Sequence, residues 1–133
     1  MYLDTDIILA LVKETDWLKP YVDLKLVKAP RTSTFTIVEA ELVMEREYGR
    51  PFVYSVLDTV KSNKIDIIPL TQKVVEKSRD LLKANPNLNI FDSVHAAFAI
   101  IENETILSTD NIFKKILPMK CADPRDFFCN DRR

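Results

Sequence analysis

Met1-Tyr2-Leu3-Asp4-Thr5-Asp6 is the stretch whose reading decides the fold. The apolar run Met1 to Leu3 is too short for a helix and reads as a buried strand. It stops abruptly at two carboxylates, Asp4 and Asp6. Ile7, Ile8, Leu9, Leu11 and Val12 follow and read as a helix, with Asp4, Thr5 or Asp6 as its cap. The product is a strand-to-helix turn loaded with acid. In open α/β sheets, ligands sit outside the carboxyl ends of the strands. Acids at that place repel phosphate and suit a hard divalent cation, which takes oxygen ligands. The functional question is whether further acids reach the same edge.

Outward from this turn the chain alternates strands and helices. Thr15 or Asp16 caps a second expected helix carrying Trp17, Tyr21 and Leu24, with Pro20 in its first turn. Thr32 to Phe35 is β-branched and aromatic and reads as a strand. Thr36 opens a helix to about Tyr48, with Gly49 as its stop, and Pro51 begins the next, whose apolar face is Val53, Val56, Leu57 and Val60. Ile65 to Ile68 is a strand, and Thr71 caps a helix carrying Val74, Val75, Leu81 and Leu82. Ile90 to about Glu102 is an alanine-rich helix, Thr105 to Ser108 a strand, and Met119 to Ala122 a short edge strand before a last turn at Asp123 and Pro124. This rhythm predicts an α/β fold: a three-layer α/β/α sandwich around a mainly parallel sheet of four to five strands.

The chain of 133 residues fits one domain, 1–133, large enough for a single core. A hydrophobic fraction of 47% and a mean hydropathy of -0.08 fit a soluble globular protein. No apolar run is long enough for a membrane span, and no export signal stands at the N-terminus, so a cytoplasmic location is expected. Cys121 and Cys129 then read as reduced thiols; their spacing is not that of a zinc site, and one histidine cannot complete it. A net charge of -1 argues against a non-specific, high-affinity nucleic-acid binder, and leaves room for an enzyme with a local basic rim at Lys114, Lys115 and Arg125. The same three side chains also fit an ordinary solvated face.

Four stretches carry acids at comparable places: Asp4 with Asp6, Glu39, Asp92 and Asp110. If Asp4 and Asp110 end neighbouring parallel strands, they share a crevice. Such carboxylates hold one or two Mg²⁺ or Mn²⁺ ions, which activate water and neutralise a phosphodiester. Crowded acids repel, so at least one is expected to have a raised pKa. Each acid also has a plain alternative. Asp4, Asp92 and Asp110 are good helix caps, and Thr36-Ile37-Val38-Glu39 is a capping-box pattern. Yet Asn, Ser or Thr would cap as well without mutual repulsion. Glu41, two residues past Glu39, points to the other side of its helix, to solvent or to a partner such as Arg46. His95, three residues after Asp92, shares its helix face and is expected to pack among alanines rather than act as ligand or base.

Met1-Tyr2-Leu3-Asp4-Thr5-Asp6, Thr36-Ile37-Val38-Glu39, Phe91-Asp92-Ser93-Val94-His95-Ala96-Ala97 and Leu107-Ser108-Thr109-Asp110-Asn111-Ile112-Phe113 together resemble the successive motifs of PIN-domain nucleases. The nearest type is the VapC-like toxin of toxin–antitoxin pairs. The resemblance runs through the whole chain to Ala122-Asp123-Pro124-Arg125-Asp126-Phe127. It implies a parallel sheet, an acidic Mg²⁺ or Mn²⁺ site and endonucleolytic cleavage of single-stranded RNA. By motif match Asp4, Glu39, Asp92 and Asp110 are the catalytic, metal-holding acids, supported by Thr5, Asp6, Ser108, Thr109 and Asn111. Asp6 departs from the family, which usually has Asn there, and adds charge to the site or supports it from behind. An antitoxin protein is the partner the resemblance implies.

Three other readings stand beside it: a stand-alone PIN nuclease, a metal-dependent phosphatase of the haloacid dehalogenase type, and a non-catalytic PIN-like binding module. The phosphatase pattern needs Gly-Thr after Asp-x-Asp, where this chain has Ile7-Ile8, and the single glycine, Gly49, leaves no phosphate loop. A binding module would show a broken acid set. The apolar stretches Val53 to Val60 and Trp17/Tyr21 exceed what a small sheet needs and predict a homodimer.

Overall fold

The computed structural model describes residues 1–116 and 119–128. Its strands are β1 (Tyr2–Leu3), β2 (Arg31–Ser33), β3 (Asp66–Ile68), β4 (Ile106–Leu107) and β5 (Cys121–Ala122). They form one sheet in the order β3-β2-β1-β4-β5, with every neighbouring pair parallel. The helices are α1 (Thr5–Val12), α2 (Thr34–Tyr48), α3 (Tyr54–Ser62), α4 (Gln72–Ala84), α5 (Ile90–Ile101) and the single turn α6 (Pro124–Phe127).

Strand alternation sends successive side chains to opposite faces. Leu3 and Leu107 join a core with Ile7, Ile8, Ala40, Met44, Val56 and Val60. Tyr2 and Ile106 join the other core with Val74, Leu81, Val94, Ala97 and Phe98. Helices thus cover both faces, and the expected three-layer α/β/α architecture is the one found. The alanines of α5 are buried and let its backbone lie close to the sheet.

The order of the strands fixes where a ligand belongs. From β1 the chain moves outward to β2 and β3, then crosses to β4 on the other side of β1. The crevice at the carboxyl ends of β1 and β4 is therefore the topological switch point of the sheet. Asp4 follows β1 directly, and Ser108, Thr109 and Asp110 follow β4.

Two expected elements differ. In place of a second α-helix, two 3₁₀ turns occupy Lys19–Tyr21 and Leu24–Leu26. Pro20 lacks a donor, and the Asp23 carboxylate takes the Lys25 N–H, which starts a new turn instead of extending the first. The second strand ends earlier than expected, because Ser33 rather than Thr36 caps α2. Ser33 has extended backbone, and its Oγ accepts from the Thr36 N–H at 3.1 Å. The helix expected from Pro51 begins at Tyr54, after a 3₁₀ turn at Arg50–Phe52, and the other boundaries fall within two residues of those expected. Cys121 is a free thiol, and Cys129 lies outside the described residues.

Candidate functional site

Asp4 is buried at the end of β1 and does two jobs. Its Oδ1 accepts from the Thr5 N–H at 2.8 Å, capping α1, and its Oδ2 accepts from Ser108 Oγ at 2.6 Å. The second bond ties the β1 turn to the β4 turn. Asp6 adds another tie, since its Oδ2 accepts from the Thr109 N–H at 2.8 Å and from Thr109 Oγ1 at 2.6 Å. Asp6 Oδ1 is buried without a hydrogen-bond partner. Burial, and then the charge of Asp4, push the Asp6 carboxyl up to about 6 against the bonds donated by Thr109. Asp6 thus both ties the two turns together and adds its charge beside Asp4.

Glu39 lies on α2, one turn past the end of β2, and does not close a capping box. Ser33 already holds the cap, and the Glu39 carboxylate turns to other elements. Its Oε1 accepts from Thr5 Oγ1 and from His95 Nε2, the latter at 2.9 Å. Both bonds fall on one oxygen, which leaves Oε2 open. Burial raises the Glu39 carboxyl, but the bonds from His95 and Thr5 outweigh it and hold the group below the usual carboxylate range.

His95 corrects an expectation. It is buried, but its polar atoms are engaged rather than merely packed among alanines. Nδ1 is hydrogen-bonded to Tyr2 Oη at 2.8 Å, while Nε2 faces Glu39 and stands 3.5 Å from Asp4 Oδ1. Tyr2 Oη in turn meets Ser33 Oγ at 2.8 Å and Thr36 Oγ1 at 3.0 Å. Burial lowers the imidazole pKa, but the bond to Glu39 and the charges of Asp4, Glu39 and Asp92 outweigh it and raise it overall. This buried network holds Glu39 from below. Sequence reading missed it, although a tyrosine inside a buried strand is a signal, because a buried phenol needs a partner.

Asp92 sits in the first turn of α5, whose cap is Asn89, with Oδ1 accepting from the Asp92 N–H at 2.8 Å. The Asp92 side chain therefore has no capping task. Burial, then the charges of Asp110 and Asp4, push its carboxyl up to about 6. Burial is the larger cause, and the neighbouring acids add to it. Asp110 does cap, accepting from the Ile112 N–H at 3.0 Å at the start of a 3₁₀ turn, Asn111–Lys115. Asn111 is exposed beside it. Capping thus accounts for Asp4 and Asp110 in part and for Glu39 and Asp92 not at all.

The neighbourhood is short of positive charge. Among the described residues no lysine or arginine pairs with Asp4, Glu39, Asp92 or Asp110, and His95 is the one basic side chain that meets Asp4 and Glu39. Arg125 is committed to Asp123, at 2.5 Å, and lies over Trp17. Lys114 and Lys115 are exposed in the turn after Asp110. Glu41 is partly buried and pairs with neither Arg46 nor a lysine among the described residues. Among the described residues no three acidic, imidazole or thiol groups are placed so that together they would hold a metal ion. One or two of these oxygen donors suit a hard divalent ion that keeps most of its own water.

Fold and site define an open parallel α/β protein with uncompensated carboxylates at its switch point. Residues 1–116 match the model of the PIN domain, and the chain belongs to that family. Solved structures share the fold. VapC20 of Mycobacterium tuberculosis, described as a Sarcin-Ricin loop cleaving toxin, superposes with a TM-score of 0.73 at 17% identity, over 86% of this chain and 92% of that one. VapBC2 from Rickettsia felis, bound to a DNA fragment from its promoter, gives 0.73 at 20%, over 92% and 96%. VapBC-1 from nontypeable Haemophilus influenzae gives 0.70 at 15%, over 92% and 96%. No curated protein matches the chain in sequence. Among the described residues no helix is long and apolar enough to cross a membrane.

Proposed function

We propose that this protein is a divalent-metal-dependent endoribonuclease that cuts single-stranded RNA and serves as the toxin of a toxin–antitoxin pair. The observation that carries the nuclease reading is the convergence of Asp4, Glu39, Asp92 and Asp110 on one sheet edge without a basic counterweight. Membership of the PIN family and the fold shared with VapC toxins support the toxin assignment and an antitoxin partner. A small upstream gene for a DNA-binding antitoxin separates the toxin from a stand-alone nuclease.

In this reading Asp4, Glu39, Asp92 and Asp110 hold one or two Mg²⁺ or Mn²⁺ ions. When bound, such an ion supplies an activated water and neutralises charge on the phosphodiester. The protein's own part is positioning. Ser108 fixes Asp4, Thr109 and Asp6 fix the turn that carries Asp110, and Thr5 with His95 fixes Glu39. Lys114 and Lys115, exposed in the turn that follows Asp110, draw the RNA backbone, so affinity falls modestly as salt rises.

The test is incubation of single-stranded RNA with the protein in Mg²⁺ or Mn²⁺, with and without EDTA. Internal cuts that stop with chelator are expected. Cutting that ignores EDTA contradicts the metal mechanism, and hydrolysis of p-nitrophenyl phosphate without RNA cleavage supports the phosphatase instead.

A further inference from the structure

A column of aromatic rings climbs from the core to the surface beside Asp92. Phe98 and Tyr2 stack with centroids 5.7 Å apart. Tyr2 meets His95 at 5.8 Å, and His95 meets Phe35 at 5.3 Å. Phe35 stacks on Phe91 at 5.7 Å with 29° between planes. The three inner rings are buried and Phe35 is partly covered, but Phe91 is 49% exposed. It immediately precedes Asp92, whose carboxyl feels Asp110, Asp4 and Glu39. An exposed aromatic surface therefore lies next in the chain to one of the four acids, and it is joined through Phe35 and His95 to Glu39.

We propose that Phe91, supported by Phe35, is a stacking platform for one unpaired base of the RNA, next to the phosphate taken by the acid site. This rests on the nuclease reading above. The occupant follows from chemistry. A cleft lined with carboxylates repels the anionic backbone except where a cation sits, whereas a base is neutral and planar. Every base has a face that stacks on an aromatic ring, so the platform is tolerant of sequence. Only an unpaired, splayed base presents that face, which makes the platform a selector for single strands. Phe91 packs on Phe35, but Asn89 rather than Phe91 caps α5 and the buried side chains of α5 begin at Ser93, which leaves half of the ring open.

The experiment compares wild type with Phe91→Ala, Phe91→Leu and Phe91→Trp on a short single-stranded RNA that the wild type cuts. KM and kcat are read in Mn²⁺, and RNA affinity in EDTA. Loss of a stacking contact is a loss of binding, so Phe91→Ala should raise KM and weaken affinity about tenfold with kcat little changed. Phe91→Leu, which keeps apolar bulk, should behave like Phe91→Ala, and Phe91→Trp like wild type. The thermal shift produced by Mn²⁺ should be the same in all four proteins, which separates the platform from damage to the metal site. Abasic replacement along the RNA should find one position that weakens wild type about tenfold and adds nothing to Phe91→Ala. Unchanged KM and affinity in Phe91→Ala overturn the platform while leaving the nuclease standing, whereas a wild type that cuts no RNA overturns both. A Phe91→Ala protein that dissociates into smaller species in sedimentation, with RNA affinity per protomer intact, assigns the ring to a protein contact and overturns the proposal.

Discussion

Asp92 shows at the scale of one residue what the site does to its members. Its carboxyl sits at about 6, against an ordinary value of 3.8, because it is half buried and faces the charges of Asp110, Asp4 and Glu39. An acid whose pKa is raised on folding binds more protons in the folded state between those two values, so its contribution to stability is present at low pH and lost as pH rises through the window. Unfolding free energy measured by urea titration in EDTA should therefore fall between about pH 4 and about pH 6, and Asp92→Asn should make that fall shallower. An unchanged slope in the variant would mean that Asp92 is not strained by its neighbours. Asp4 and Asp110 stood out in the sequence as acids that end strands, whereas Glu39 and Asp92, which lie within helices, were singled out by the motif resemblance. His95 was not legible in this way, since its three-residue spacing from Asp92 is equally that of a buried face. Its role depends on Tyr2, Ser33 and Thr36, which other elements bring to it.

At the scale of elements, caps and stops explain most of what the sequence announced. Thr71 holds the Val74 N–H at the start of α4, and Asp123 holds the Arg125 N–H at the start of α6, both at expected places. Gly49 ends α2 with φ 101° and ψ 172°, a conformation that side chains with a Cβ rarely adopt. Gly49→Ala should destabilise the protein by about 1–3 kcal/mol in urea unfolding without altering the thermal shift by Mn²⁺. A variant as stable as wild type would show that the backbone relaxes there freely. The stretch from Thr15 to Leu26 was misread because its apolar spacing is helical while Pro20 and Asp23 interrupt the hydrogen bonds. Periodicity reports which side chains meet the core, and not whether the ladder between them is continuous.

At the scale of the molecule, strand order could not be read from any one segment, since it depends on which faces bury together. It makes the site by setting β1 beside β4. The surface also differs from expectation. Val56 and Val60 face inward, and the exposed apolar side chains near α3 are Tyr48, Phe52 and Tyr54, while Trp17 and Tyr21, earlier in the chain, are exposed as expected. A homodimer remains the expected state, and sedimentation at micromolar concentration should show it; a monomer there would contradict it. The central claim is that four elements deliver their carboxylates to one shared metal site. Thermal melting in EDTA and in Mn²⁺, beside RNA cleavage, tests it for wild type, Asp4→Asn, Asp110→Asn and the control Asp66→Asn, whose side chain is exposed on β3 and reaches Arg31 at 3.4 Å. Asn caps about as well as Asp, so capping alone predicts little change. The shared site predicts that Asp4→Asn and Asp110→Asn melt in EDTA at or above the wild-type temperature, lose the Mn²⁺ shift and stop cutting RNA, while Asp66→Asn behaves as wild type. If Asp4→Asn and Asp110→Asn cut RNA like wild type and keep its Mn²⁺ shift, the carboxylates are caps and the shared site does not exist.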